Sequence, residues 1–276
     1  MDKNYKFNSL KIDADDGVFD ALFNAGSKQN INLSTYTTPE ISDHKFYFNR
    51  TIRKVKLPNV KRIGNYVCLN CSRLEEINIP LTVESIGRDF IERTAIYNNE
   101  ENWKDNLFYK DKWCLGYKKT DSTMINIPEG AIGISENAFA GATTIESVTI
   151  PSTIKAIPDS AFEGCSSLKS LTLSNSIKYI GRNAFYRCDI ESLVIPDSVE
   201  EIQAMAFQFN ENLKSISLPK NLKILELNAF GYCSRLTKIT FRGTVAELNK
   251  IENFDWAFSY DVPATYIQCT DGQVQI

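Results

Sequence analysis

Along most of the chain, apolar residues return on a fixed beat. A corner column reads Pro128, Pro151, Ser174, Pro196, Pro219 and Arg242, with steps of 23, 23, 22, 23 and 23 residues. Phe139, Phe162, Phe185, Phe207 and Phe230 follow the same rhythm, stepping 23, 23, 22 and 23. Pro58 and Pro80, 22 apart, extend it toward the N-terminus. Several independent columns sharing one period of roughly 20–29 residues predict a solenoid of stacked coils.

Within a coil the pattern changes period. In Leu168-Lys-Ser-Leu171-Thr-Leu173, Leu171 and Leu173 alternate with polar Ser170 and Thr172. This period of two predicts a short strand with one buried face. A corner follows, where proline fixes φ and ends the strand. Ile177-Lys-Tyr-Ile180 predicts a second strand, and Asn183-Ala184-Phe185 a 3-10 or single-turn helical return with Phe185 pointing inward. One coil cannot bury its own Leu, Ile and Phe; only stacking completes a core. The predicted fold class is therefore a leucine-rich-repeat solenoid, a right-handed superhelix of 22–23-residue coils that is mainly β with short helical turns. Cys71, Cys165, Cys188 and Cys233 all stand just before the first strand, where a small apolar side chain suits an inner corner. Cys165 and Cys188 fall on neighbouring coils, so a disulfide between them is open.

The words themselves carry a more specific likeness. Gly164-Cys-Ser-Ser-Leu-Lys-Ser-Leu-Thr-Leu173, then Ile177-Lys-Tyr-Ile-Gly-Arg-Asn-Ala-Phe185, resembles the BspA-like leucine-rich repeat family. The likeness runs from about residue 52 to 243 and is sharpest from 128 onward. It implies a bacterial-type surface or secreted binding protein, adhesins included. The tail also looks like the usual ending of such proteins: Arg242-Gly-Thr, a short helix, Trp256, then Cys269-Thr-Asp-Gly272.

Three regions follow: an N-terminal cap over 1–50, a solenoid over 51–243 and a C-terminal cap over 244–276. In the first, Asp15-Asp16 before Val18, Phe19, Leu22 and Phe23, with Gly26 after, predicts a short capped helix. In the last, Thr244-Val-Ala-Glu247 has the form of a capping box. Asp271-Gly272 is a favoured hairpin turn. The beat fails between Pro80 and Pro128, 48 residues apart, where only Phe90 keeps step. There, residues 97–122 predict a β-hairpin around Lys110-Asp111-Lys112. It is either a spacer or a projecting aromatic loop that touches a partner, since insertions concentrate function.

Composition and charge narrow the chemistry. The 276 residues carry a net charge of −3, which advertises no nucleic-acid or anionic-membrane surface. No apolar run approaches the roughly 18 residues of a spanning helix, and the opening lacks a secretory core. The single histidine, His44, is tied by no motif to a nucleophile. Cys68-Leu-Asn-Cys71 is formally C-x-x-C, but no second pair accompanies it, and Cys71 already has a repeat position. Asp13-Ala-Asp15-Asp16-Gly17 hints at a calcium loop, yet Asn24 stands where the bidentate acid belongs. Phosphate-cradling glycine motifs are missing, and Glu200-Glu201 fall in a strand column. The expectation is a protein without enzymatic activity, cofactor or metal.

What remains is surface. The column Arg53, Glu75, Glu146, Lys169, Glu191, Lys214 alternates in sign over its last four members and predicts ion pairs along the stack. Ser170, Thr172, Ser192, Ser215 and Ser217 form flat hydroxyl columns able to meet a glycan or a polar protein surface. Trp103, Tyr109, Trp113 and Tyr117 of the insertion are the aromatic candidates, with Tyr179, Tyr186 and Tyr232 on the array; the last two should face outward. Together with the family resemblance, these residues predict a recognition or adhesion module for a protein or glycan on a host or neighbouring cell, and the resemblance implies a place at the cell surface or secreted. The competing expectation is a component of a phage or other assembly, in a virion or inside the cell.

Overall fold

The computed structural model describes residues 29–276. The N-terminal helix and the acidic Asp13–Gly17 stretch expected above lie outside them. Each coil contributes two short strands. The first three are β1 (Asn30–Asn32) with β2 (Glu40–Ile41), β3 (Lys54–Lys56) with β4 (Arg62–Ile63), and β5 (Glu76–Ile77) with β6 (Ser85–Ile86). After the interruption, β7 (Trp103–Lys104), β8 (Leu107–Lys110) and β9 (Trp113–Tyr117) form an antiparallel unit. The coils resume with β10 (Met124–Asn126) and β11 (Gly133–Ile134), β12 (Ser147–Thr149) and β13 (Ala156–Ile157), β14 (Ser170–Thr172) and β15 (Tyr179–Ile180). Next come β16 (Ser192–Val194) and β17 (Glu201–Ile202), β18 (Ser215–Leu218) and β19 (Ile224–Leu225), then β20 (Lys238–Phe241). A single helical turn (Val245–Leu248) and the hairpin of β21 (Tyr266–Gln268) and β22 (Gln273–Gln275) close the end.

The first and second strands of the coils build two parallel-stranded sides. The first side runs as β1-β3-β5, β10-β12-β14 and β16-β18-β20-β21; the second as β2-β4-β6 and β13-β15-β17-β19. Register follows the period, with Val148 opposite Leu171 and Ile202 opposite Leu225. The outer end is capped as the tail sequence predicted. Thr244 and Glu247 make a reciprocal capping box, and β21 continues the sheet beside β20.

The third side corrects one expectation. The return around Asn183-Ala184-Phe185 is a pair of turns instead of a helix. Each coil places two residues four apart at positive φ, such as Asn183 (55°) and Arg187 (56°), or Met205 and Phe209 (both 61°). Left-handed residues turn the amides along the stack, so each N–H reaches the next coil. Phe162 donates to Ala184 O, Phe185 to Ala206 O and Phe207 to Ala229 O, all at 2.8 Å. A helical turn would keep these bonds within one coil. This turn side is thus a third hydrogen-bonded wall.

Inside, Phe139, Phe162, Phe185, Phe207 and Phe230 stack ring on ring at centroid separations of 4.9, 5.3, 5.2 and 5.2 Å. The cysteine column packs beneath them and also donates. The thiols of Cys165, Cys188 and Cys233 reach the carbonyls of Phe139, Phe162 and Phe207 at 3.3, 3.2 and 3.5 Å. Asn210 takes the same column position and does this with its amide, at 2.9 Å to Phe185 O. All seven cysteines are free and buried, so Cys165 and Cys188 are not joined.

The coil array begins before residue 51. β1 pairs in register with β3, Ile31 opposite Val55, because residues 30–49 bury Ile31, Leu33, Ile41 and Phe46 as later coils do. The match was hidden because this coil lacks the corner proline. At the other landmark, β8 and β9 form the predicted hairpin, with Asp111 (φ 47°) and Lys112 (φ 71°) as its turn. It does not project. Leu107, Cys114 and Tyr117 join the core of the coils that follow, while Phe108, Trp113 and Leu115 join the core of those that precede. Strand alternation makes the hairpin a two-faced wedge between two stacks. Gly133 has no side chain because the Trp113 ring occupies that space; a Cβ there would sit 2.4 Å from Cζ3.

Candidate recognition surface

Fold geometry sorts the residues expected to meet a partner. Trp113 and Tyr117 are 3% and 8% exposed, so they cannot offer a platform; as wedge residues their rings are core filler. Trp103 is half-buried, with its indole N–H on Tyr97 O at 2.7 Å and Lys118 Nζ 5.0 Å above its ring. Tyr109 is half-buried against the core of the following coils. The four aromatics therefore do not form one surface.

The hydroxyl columns are real but divided. Ser170 stands opposite Ser147, Thr172 opposite Thr149, Ser192 opposite Ser215, and Ser217 opposite Thr240. No strand pairing joins β14 to β16, so the ladder breaks between Ser170 and Ser192, although the two coils stay stacked through β15 and β17. Arg242 claims the Ser217 hydroxyl at 2.7 Å while its guanidinium also reaches Asp197 at 2.8 Å. Partial burial opposes it, but the Lys220 N–H and Arg242 hold the Asp197 carboxyl below its ordinary range. Of the predicted charge column, Arg53 pairs with Glu75, and Lys214 with Glu191 at 3.6 Å. Part of the first strand side's charge is thus paired along the stack.

The turn side differs along its length. The residue two after each phenylalanine of the inner stack, Phe139 to Phe230, reads Gly141, Gly164, Arg187, Phe209, Tyr232, and every one has positive φ. A second column, whose carbonyls receive the turn-side bonds, reads Asp159, Arg182, Ala204, Leu227, Trp256. Both columns change from small or charged to apolar toward the C-terminus. There, Phe209 stacks on Tyr232 at 4.6 Å and Tyr232 on Tyr260 at 5.6 Å, while Tyr186 meets Phe209 edge-on at 5.5 Å. Arg187 lies 5.3 Å from both the Tyr186 and Phe209 rings. Trp256 and Tyr260 are each 64% exposed and Leu227 43%. Tyr186 and Tyr232 were legible as outward-facing; Phe209, Leu227, Trp256 and Tyr260 were missed. Gly141 and Gly164 held the signal, because glycine marks the left-handed position that the aromatics later occupy.

This surface offers contact, with no catalytic constellation in it. His44 packs against Tyr47 and Tyr66, at 5.3 and 5.0 Å between rings. Both cysteines of the C-x-x-C are buried, and burial drives the Cys68 thiol well up. Among the described residues, no group of three or more His, Cys, Asp or Glu is placed to hold a metal. No helix among them is long and apolar enough to cross a membrane.

Coils of 22–23 residues, parallel strand sides and the phenylalanine spine define a leucine-rich-repeat solenoid. Residues 7–113 and 117–260 match the BspA type leucine rich repeat region in six copies, and the chain belongs to that family. No curated protein matches it. Solved structures similar to it include the pneumococcal vaccine antigen PcpA, at 15% identity and TM-score 0.50, covering 82% of this chain and 70% of that one. A leucine-rich repeat protein from Bacteroides ovatus is 23% identical at TM-score 0.39, with 77% and 68% covered. A leucine rich cell surface protein from Faecalibacterium prausnitzii is 18% identical at TM-score 0.36, with 83% and 91% covered.

Proposed function

We propose that this protein is a non-enzymatic recognition module at a cell exterior, docking a protein partner on the turn side of its C-terminal coils. The carrying observation is the placement of Phe209, Tyr232 and Tyr260, large apolar side chains at left-handed backbone positions beside exposed Leu227 and Trp256. Left-handed geometry costs a residue with a Cβ roughly 1–2 kcal/mol, which glycine avoids. The coils containing Gly141 and Gly164 stack without those side chains, so stacking alone does not require them. Contiguous aromatic and aliphatic surface flanked by arginine has the composition of a protein interface.

Ring orientation favours protein over glycan. Interplanar angles of 7° and 10° cover the faces between Phe209, Tyr232 and Tyr260, so no open ring face lies within that stack. A sugar needs an open face; a protein side chain packs well against edges. A surface or secreted location accords with the family.

Binding of the purified protein to epithelial and bacterial cells, beside a glycan array, tests this. The combined variant Phe209→Gly, Tyr232→Gly, Trp256→Ala should lose cell binding, and Ser192→Ala with Ser215→Ala should keep it. Protease treatment of the cells should abolish binding where glycosidase does not. Equal binding by both variants, or capture only by glycans, would sink the proposal.

A further inference from the structure

The wedge leaves one place in the solenoid unfilled. Between Pro80 and Pro128 the chain spends 48 residues, two coil lengths, yet contributes no strand to the first side: β5 ends one run and β10 begins the next. A specific bond marks the gap. The residue after a first-side strand donates its N–H to the next coil, Leu33 to Lys56 O at 2.8 Å, Leu57 to Asn78 Oδ1 at 2.7 Å, Ile150 to Thr172 O at 2.9 Å and Ile195 to Ser217 O at 3.0 Å. Ile79 holds that position after β5, and its N–H goes to Asp111 Oδ2 in the hairpin turn at 2.8 Å. The acceptor therefore comes from the hairpin turn and not from a first-side strand of a next coil.

The space is a cleft of about 640 Å³ between the hairpin and β10. Leu107, Tyr109, Ile127 and Pro128 line it, with Glu101 and Lys104 among its polar members. β10 has a partner on one side only, β12. In a parallel pair, successive residues bond alternately to the two sides. The Ser147 N–H on Thr123 O at 3.3 Å sets the phase, so the Met124 and Asn126 amides face away from β12. Met124 meets only the Ser122 hydroxyl of its own turn, at 3.4 Å from its N–H and 3.0 Å from its carbonyl, which leaves Asn126 as the open amide of the edge. Met124, 58% exposed, stands beside this edge.

We propose that the cleft accepts an extended segment of a partner protein as an added strand, parallel to β10. Main-chain bonds to an open sheet edge supply affinity, and alternate side chains supply selection. The occupant's pattern follows from the strands it would join. β1, β3, β10 and β16 each bury one central apolar residue between two exposed ones. The segment is therefore polar–apolar–polar over its central three residues, with the apolar side chain directed at the cleft floor.

The probe is an acetylated, amidated peptide Leu-Lys-Ser-Leu-Thr-Leu-Ser, the sequence of residues 168–174, titrated into isotope-labelled full-length protein. Saturable amide shifts at Met124–Asn126 and Tyr109 are expected. Replacing the peptide's central leucine by aspartate should weaken binding at least tenfold without touching the protein's fold. Asn126→Pro, which deletes one edge N–H, should do the same from the protein side. Shifts confined to other strands, equal binding of the aspartate peptide, or no saturable shift would overturn the proposal. Self-association lost in Asn126→Pro would assign the edge to a second copy instead and also overturn it. The aromatic turn-side variant should bind this peptide unchanged, so the two sites fail or stand separately.

Discussion

Two aromatic stacks run side by side through the C-terminal coils. The inner one, Phe139 to Phe230, has rings about 5 Å apart, the coil spacing of a sheet; Phe162, Phe185, Phe207 and Phe230 are fully buried. The outer one, Phe209, Tyr232 and Tyr260, has similar spacing but only borders solvent, and gives way to Arg187, Gly164 and Gly141 in earlier coils. Identical ring spacing thus serves two purposes. The inner rings fill a volume that every coil must fill. The outer rings occupy a column where earlier coils carry Gly141, Gly164 and Arg187, so stacking alone does not require an aromatic there.

The largest effect should come from the inner stack. Phe207→Ala should cost about 3–5 kcal/mol in chemical denaturation, because neighbouring rings cannot collapse into the space. If Phe209→Ala cost as much, the division between the stacks would be false. Next is Arg242, which takes a proline's place and reaches back to Asp197, Ser217 and Ile195 O. Arg242→Ala should cost about 1–3 kcal/mol by leaving part-buried acceptors unpaired. Smaller still, Tyr232→Gly should be more stable than Tyr232→Ala by about 1 kcal/mol, since only alanine keeps a strained Cβ at φ 58°. Equal stability of the two would remove the backbone argument for a functional aromatic.

The smallest effect lies where the turn side crosses the wedge and aromatics yield to carboxylates. Burial first, then the charge of Asp89, raises the Glu92 pKa above 4.5. A raised carboxyl pKa means the folded state holds the proton more tightly than the unfolded chain does. Ionised Glu92 therefore weakens the fold above its folded pKa, and the penalty fades as pH falls toward 4.5. Glu92→Gln should raise the melting temperature slightly at pH 7 and not at all at pH 4. A gain that persisted at pH 4 would point to packing instead of charge.

Much of this architecture was legible because a repeat writes each position several times. The inward place of Phe185, the capping box at Thr244 and the hairpin turn at Asp271-Gly272 each rest on contacts near in sequence or repeated along it. The first coil escaped notice, since Ile31 and Ile41 keep the apolar pattern without a corner proline. The insertion was harder. Trp103, Tyr109, Trp113 and Tyr117 looked alike as aromatic residues of a hairpin, but the strands' alternation, set against two cores at once, buries two of them and half-covers the others.

Sequence by itself determined the coil, its period, its inward columns and its C-terminal cap, because those depend on alternation and spacing that any stack must obey. Only the tertiary structure decided that the hairpin is a wedge, that Asp111 in its turn accepts the Ile79 N–H, and that Phe209, Tyr232 and Tyr260 share one ledge with Trp256. Each of those depends on which coil neighbours which, and on amides turned along the stack by left-handed residues. Such contacts join residues more than 20 positions apart, where local pattern carries no information about who faces whom.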